Sequence, residues 1–167
     1  MKVTLVMAMT LDGKIGKSAD HFPDWTGKED KRMFVEITRR AGVIIMGSRT
    51  FLTIGKPLPG RKNIILTRDP RRTSDDPSLV FTHQPLKELI ANLEKDGYQE
   101  VILAGGALIN SLFAKEELID EILVTVSPFI FGQGLSLFTE DISMDLELLN
   151  MEQLGKNRVC LTYRVLK

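Results

Sequence analysis

Short apolar runs rich in β-branched residues alternate along the chain with segments whose apolar positions recur at helical spacing. Strands are predicted at Val3–Met9, Val43–Met46, Asn63–Thr67, Leu79–Thr82, Glu100–Leu103 and Glu121–Ser127, with longer ones near Leu146–Met151 and Arg158–Leu166. Helices are predicted at Gly27–Ala41, Ser48–Ile54, Leu86–Lys95 and Ala107–Lys115. Such alternation gives an α/β fold with a mostly parallel sheet of about eight strands and about four crossover helices. No helical pattern separates the last two strands, which predicts an antiparallel pair at the C-terminal edge. The polar stretch Thr67–Pro77 reads as an exposed loop rather than a linker, so residues 1–167 are expected to form a single domain.

Composition narrows the partners. Twenty-two basic residues balance 22 acidic ones and 43% of the chain is hydrophobic, which provides no field for nucleic acid or an anionic membrane. The first apolar run is interrupted by Thr4 and Thr10 and ends at Asp12-Gly13. It is too short to span a bilayer and lacks a cleavage pattern, so a cytoplasmic protein is expected. Cys160 is the only cysteine, and with His21 and His83 as the only histidines no Cys/His metal site is expected. Cys160 itself reads as a small core residue of the last strand.

Thr26-Gly27-Lys28-Glu29 matches a capping box, with Thr26 as N-cap and Glu29 reaching back, and this sets the phase of the first helix. Met33, Phe34, Ile37 and Ala41 then form its apolar stripe, and Asp30 falls on that stripe. An acid in a first turn also complements the helix dipole; the inward phase points instead to a carboxyl in an apolar cleft. Burial there disfavours the ionised form and raises the pKa, which suits an acid that helps protonate a heterocycle.

Neither a Rossmann fingerprint nor a P-loop is present. Met46-Gly47-Ser48-Arg49-Thr50 and Ala104-Gly105-Gly106-Ala107 each carry a strand into a helix, where free backbone N–H groups favour phosphate. Glycine at such a turn is also explained by steric permission alone. Two of them, with Arg49 beside one and Thr67-Arg68 ending a third strand, point to a dinucleotide. Arg68 is the candidate for a 2′-phosphate, which favours NADPH over NADH.

Met46-Gly47-Ser48-Arg49-Thr50, followed by the run from Ile54 through Gly55-Lys56-Pro57-Leu58-Pro59-Gly60-Arg61-Lys62-Asn63 to Arg68, closely resembles the dihydrofolate reductases. So do Ala8, the loop Leu11-Asp12-Gly13-Lys14-Ile15-Gly16, and Trp25 five residues before Asp30. The resemblance implies a dihydrofolate reductase-like three-layer sandwich. It implies that Asp30 is the site acid with Thr125 bonded to it, and that Ala8, Trp25, Phe34 and Arg61 face the substrate. Phe34 is equally explained as ordinary core. Implied cofactor residues are Ile15 and Gly16 in the loop, Gly47, Ser48, Arg49 and Thr50, then Leu66, Thr67 and Arg68. A glycine pair with a cis peptide, Gly105-Gly106, completes the set together with Ala107 and Leu108.

Thr10-Leu11-Asp12-Gly13-Lys14, Leu118-Ile119-Asp120-Glu121, Pro128 through Gly134 and Val159-Cys160-Leu161 look instead like the reductase domain of riboflavin biosynthesis, which has the same fold. Asn110 and Ser48 depart from the dihydrofolate reductase pattern, where a tyrosine and a basic residue are usual. The expected activity is hydride transfer from NADPH to a small pterin or pyrimidine, with 7,8-dihydrofolate the leading substrate. The alternative is 5-amino-6-(5-phosphoribosylamino)uracil or its diaminopyrimidinone analogue, and Arg61 suits either anion. A third reading, an NADPH-binding module without turnover, is disfavoured by the coexistence of Asp30, Arg61 and the glycine pair. An exposed final strand able to pair across a two-fold axis suggests a homodimer.

Overall fold

In the computed structural model, which describes residues 1–167, the elements follow the expected alternation. The strands are β1 (Lys2–Thr10), β2 (Lys14–Gly16), β3 (Val43–Gly47), β4 (Lys62–Leu66), β5 (Leu79–Thr82), β6 (Glu100–Leu103), β7 (Glu121–Ser127), β8 (Leu135–Ser136), β9 (Asp145–Leu154) and β10 (Arg158–Leu166). The helices are α1 (Lys28–Ala41), α2 (Ser48–Ile54), α3 (Leu86–Lys95) and α4 (Ala107–Lys115), with a 3-10 turn at Asp24–Thr26. No helix is long and apolar enough to cross a membrane.

Eight strands form one sheet in the order β5-β4-β3-β6-β1-β7-β10-β9. The first six run parallel, and β10 lies antiparallel between β7 and β9. Helices cover both faces. Leu86, Leu89 and Leu93 of α3 and Ile109 and Phe113 of α4 close one core, while Ile37 of α1 and Phe51 of α2 close the other. Burial on both faces is why β3 is apolar without alternation, each of its five residues being buried.

Three expectations need correction. Helix α1 has Gly27, at φ 94°, as N-cap and no side-chain cap, so Thr26 and Glu29 form no capping box. Thr26 belongs to the preceding 3-10 turn, and its hydroxyl lies 3.5 Å from the Pro23 carbonyl oxygen. The final strand is not the exposed edge. Strand β10 carries Val159, Leu161 and Val165, of which Leu161 and Val165 pack on the core, whereas β9 is exposed along nearly its whole length and takes the edge. The third difference is a ribbon of β2 and β8, separate from the main sheet. Its strands are too short to show a period in the sequence.

Candidate active site

Asp30 stands in the first turn of α1 and is only 8% exposed, as its phase on the apolar stripe requires. Burial pushes its carboxyl above the ordinary aspartate range. The Thr125 and Thr26 hydroxyls and the charges of Arg158 and Lys31 act in the opposite direction. Thr125 lies on β7 directly beside Ala8 of β1, so strand pairing brings both to one place behind the helix. The Thr125 Oγ1, Trp25 Nε1 and Arg158 Nε are buried without a hydrogen-bond partner in the chain. Such atoms are rare in folded proteins; two of the three residues, Thr125 and Arg158, act on the Asp30 carboxyl, which makes the place beside it a polar one.

Trp25, buried in the 3-10 turn, meets Phe131 edge-on at 5.2 Å and Phe129 at 6.2 Å between ring centroids. Half-buried Phe34, one turn beyond Asp30, packs against the core on the α1 side. It is therefore part of that core while keeping some exposed surface.

Arg61 sits in the loop between α2 and β4 and is 5% exposed. Its Nε and Nη2 donate to the Pro59 carbonyl oxygen at 3.1 and 3.0 Å, and Nη1 donates to Thr38 Oγ1 on α1. Asn63 braces the loop: its Oδ1 accepts from the Leu58 N–H and its Nδ2 donates to the Leu58 and Arg61 carbonyl oxygens, all at 2.9 Å. Every partner of the Arg61 guanidinium is neutral, and its pKa is lowered by burial and by the nearby Arg39 charge. A fixed, buried cation without a counter-ion is an anion site in chemical terms.

The two glycine turns meet because β3 and β6 are adjacent in the sheet. The Gly47 N–H donates to the Gly105 carbonyl oxygen at 2.8 Å, and Gly105–Gly106 is a cis peptide. A Cβ at Gly47 would stand 2.8 Å from Ile109 Cγ1, and one at Gly106 would stand 3.3 Å from Thr50 Oγ1. The backbone here is thus closely packed, with Gly47 and Gly105 buried and Gly106 half-buried. Buried Ala107 and exposed Leu108 open α4, where the first-turn N–H groups have no partner within the helix. Ser48 and Thr50 are half-buried and Arg49 exposed at the start of α2. Leu66 is buried at the end of β4, followed by half-buried Thr67 and exposed Arg68. These groups lie at or just beyond the carboxyl ends of parallel strands, where open α/β sheets bind ligands. Their helix-start amides, exposed Arg49 and Arg68 and cramped glycines fit a phosphate-bearing dinucleotide.

Ile15 and Gly16 belong to β2 and reach the rest of the chain through the ribbon with β8. The loop preceding them is held by Asp12, which the sequence offered only as part of a motif. Its Oδ1 accepts from the Thr10 hydroxyl at 2.5 Å and the Phe131 N–H at 3.2 Å, and its Oδ2 accepts from the Gly132 N–H at 2.7 Å. These bonds lower its pKa. They also tie the loop to the segment that carries the rings against Trp25. Arg158 had no signal in the sequence at all, because nothing local links it to α1.

A family model described as the RibD C-terminal domain matches residues 1–160. The chain is 39% identical to the dihydrofolate reductase of Lactococcus lactis over 105 residues, 62% of this chain and 60% of that one. Among solved structures it superimposes on Acinetobacter baumannii RibD with a TM-score of 0.87 and 22% identity, covering 99% of this chain and 58% of that protein. Against the Enterococcus faecalis dihydrofolate reductase complexed with NADP(H), the TM-score is 0.73 at 20% identity, covering 98% and 96%. These structural likenesses carry the fold, and the family match spans nearly the whole chain. The chain belongs to the RibD C-terminal domain family, within the dihydrofolate reductase superfamily of oxidoreductases.

Proposed function

We propose that this single-domain chain is an NADPH-dependent reductase of a small pterin or pyrimidine, with 7,8-dihydrofolate as the leading substrate. The observation that carries this reading is the buried Asp30 carboxyl on α1 together with a counter-ion-free Arg61, whose guanidinium donates to Thr38 of the same helix. Dihydrofolate has the donor-rich pyrimidine edge of its pterin for the first and a glutamate carboxylate for the second. Bound at the Gly47 and Gly105–Gly106 turns, NADPH supplies the hydride.

The chain's own part is positional and electrostatic. Asp30 accepts hydrogen bonds from the pyrimidine edge, and burial, which raises its pKa above the ordinary aspartate range, makes it a better proton partner for the heterocycle. Thr125 and Ala8 set the wall behind it, Trp25 and Phe34 pack about the ring, and Arg61 fixes the anionic end. The Asp12-held loop with Ile15 and Gly16 keeps water from the site. The turn residues Ser48, Arg49, Thr50, Ala107 and Leu108 hold the cofactor phosphates. Leu66 and Thr67 line the adenosine side, and Arg68 meets the 2′-phosphate.

The family match favours a second reading, a phosphoribosylamino-pyrimidine substrate, in which Arg61 holds a phosphate. NADPH oxidation with both compounds decides: turnover of dihydrofolate supports the first, and turnover of the pyrimidine phosphate alone replaces it with the second. We also propose a homodimer joined at β9, whose exposed Leu148 and Met151 and open ladder edge suit a second copy. Light scattering that gives the monomer mass at micromolar concentration would exclude it.

A further inference from the structure

Arg158 opens β10, far along the chain from α1, yet its guanidinium is lodged at the start of that helix. Its Nη2 donates to the Trp25 carbonyl oxygen at 3.2 Å. A Cβ at Gly27 would lie 2.5 Å from its Cζ, 2.8 Å from Nε and 2.9 Å from Nη1, so only glycine leaves room for it. Its Nε is buried and unpartnered, and it forms no salt bridge.

The fold gains little from a cation there. A helix N-terminus carries positive partial charge and favours anions, so a guanidinium against the N-cap has the wrong sign for helix stability. Leaving its Nε buried without a partner is a further cost. What the position does provide is a fixed positive charge behind the turn that presents Trp25 and Asp30. We propose that Arg158, held against Gly27 and the Trp25 carbonyl, is a positioning residue whose fixed positive charge acts on the charge state of Asp30. The inference rests on reading Asp30 as the site acid.

The groups acting on that carboxyl come from every element around it. Lys31 lies beside it on α1, Thr26 on the 3-10 turn, Thr125 on β7, and Arg158 and Cys160 on β10, with Glu152 of β9 facing Cys160. Of the two cations, Lys31 is exposed, its ammonium 5.9 Å from the Phe22 ring centroid, whereas Arg158 is half-buried and bonded to the Trp25 carbonyl oxygen. Arg158 is therefore the cation whose position at the start of α1 is fixed by contacts within the chain. Together with the Thr125 and Thr26 hydroxyls, it opposes the rise that burial imposes on the Asp30 pKa. The hairpin tip reinforces the arrangement, because Gly155, between β9 and β10, packs against the Glu29 side chain in the same helical turn.

The test follows the Asp30 carboxyl directly by carbon-13 NMR in protein labelled at aspartate, with Asp30→Asn identifying the signal. Arg158→Met and Arg158→Gln remove the charge and retain most of the side-chain volume; Arg158→Lys restores the charge without the fork. Both neutral variants are expected to raise the Asp30 midpoint by about one pH unit, the scale of a nearby opposite charge, and the lysine variant to return part of it. The pH profile of kcat/KM should move by the same amount. An unmoved midpoint in either neutral variant that folds, with only the unfolding temperature lowered, would make Arg158 a structural strut and overturn the proposal. A shifted midpoint in a protein that reduces neither substrate would uphold Arg158 and refute the proposed reductase activity instead.

Discussion

Replacing Gly47 with alanine tests whether the two glycine turns work as one packed unit. The backbone of Gly47 is at φ −77° and ψ 157°, which alanine adopts freely, so any effect arises from the added carbon. That carbon would stand 2.8 Å from Ile109 Cγ1 and 3.8 Å from the Gly106 amide nitrogen. Carbon atoms rest at about 3.5–4.0 Å, so Ile109 must retreat by roughly 0.7 Å or more. Ile109 is 9% exposed and belongs to the core beneath α4, which leaves it nowhere to go without moving the helix. Overpacking of this kind costs about 1–3 kcal/mol, or about 2–12 °C in Tm for a chain of this size. Because the start of α4 moves, NADPH affinity should fall as well.

Ile109→Ala alone should cost about 2–5 kcal/mol. In the double variant the obstructing atom is gone, and the combined loss should be smaller than the sum by about 1–3 kcal/mol. Urea unfolding of the four proteins gives this coupling, and fluorescence titration with NADPH gives the affinity. Strict additivity, or a Gly47→Ala protein as stable as its parent, would refute the claim that these turns are in close contact.

Burial raises the Asp30 pKa, so the stability associated with its proton is complete below the ordinary aspartate value and is lost as pH rises through the folded one. Asp30→Asn should therefore unfold at a higher temperature than the parent near neutral pH and at the same temperature in acid, while turnover falls about 10²–10⁴-fold; scanning calorimetry with a rate assay checks both. Asp12 is the opposite case: its bonds to Thr10, Gly132 and Phe131 lower its pKa, so the loop clamp holds above the ordinary range and is lost as pH falls through that lowered value. Asp12→Ala should accelerate amide exchange at Phe131 and Gly132 at neutral pH, measured by hydrogen–deuterium exchange. Arg61→Lys keeps a charge but loses the fork on Pro59 and Thr38, and should raise KM for an anionic substrate about 10–100-fold with a smaller change in kcat; steady-state kinetics decides.

The alternation of β-rich and helical segments determined the architecture, because apolar period is a local property, and seven of the eight main-sheet strands and all four helices lie where or within a residue of where it places them, β9 alone running further than its pattern. The inward phase of Asp30 was legible for the same reason, and so was the nearness of the two glycine turns once their strands were taken as neighbours. What no local pattern contained was anything held by contact across the fold. The β2–β8 ribbon joins segments that are each too short to have a period. Thr26 satisfies the rule for a helix cap yet sits in a 3-10 turn beside Asp30, since Gly27 takes the cap position with Arg158 packed against it. Which of the last two strands became the edge depended on burial against β7. The Arg158 charge reaches Asp30 only because β10 runs back beside β7, a pairing between distant segments that tertiary packing alone decides.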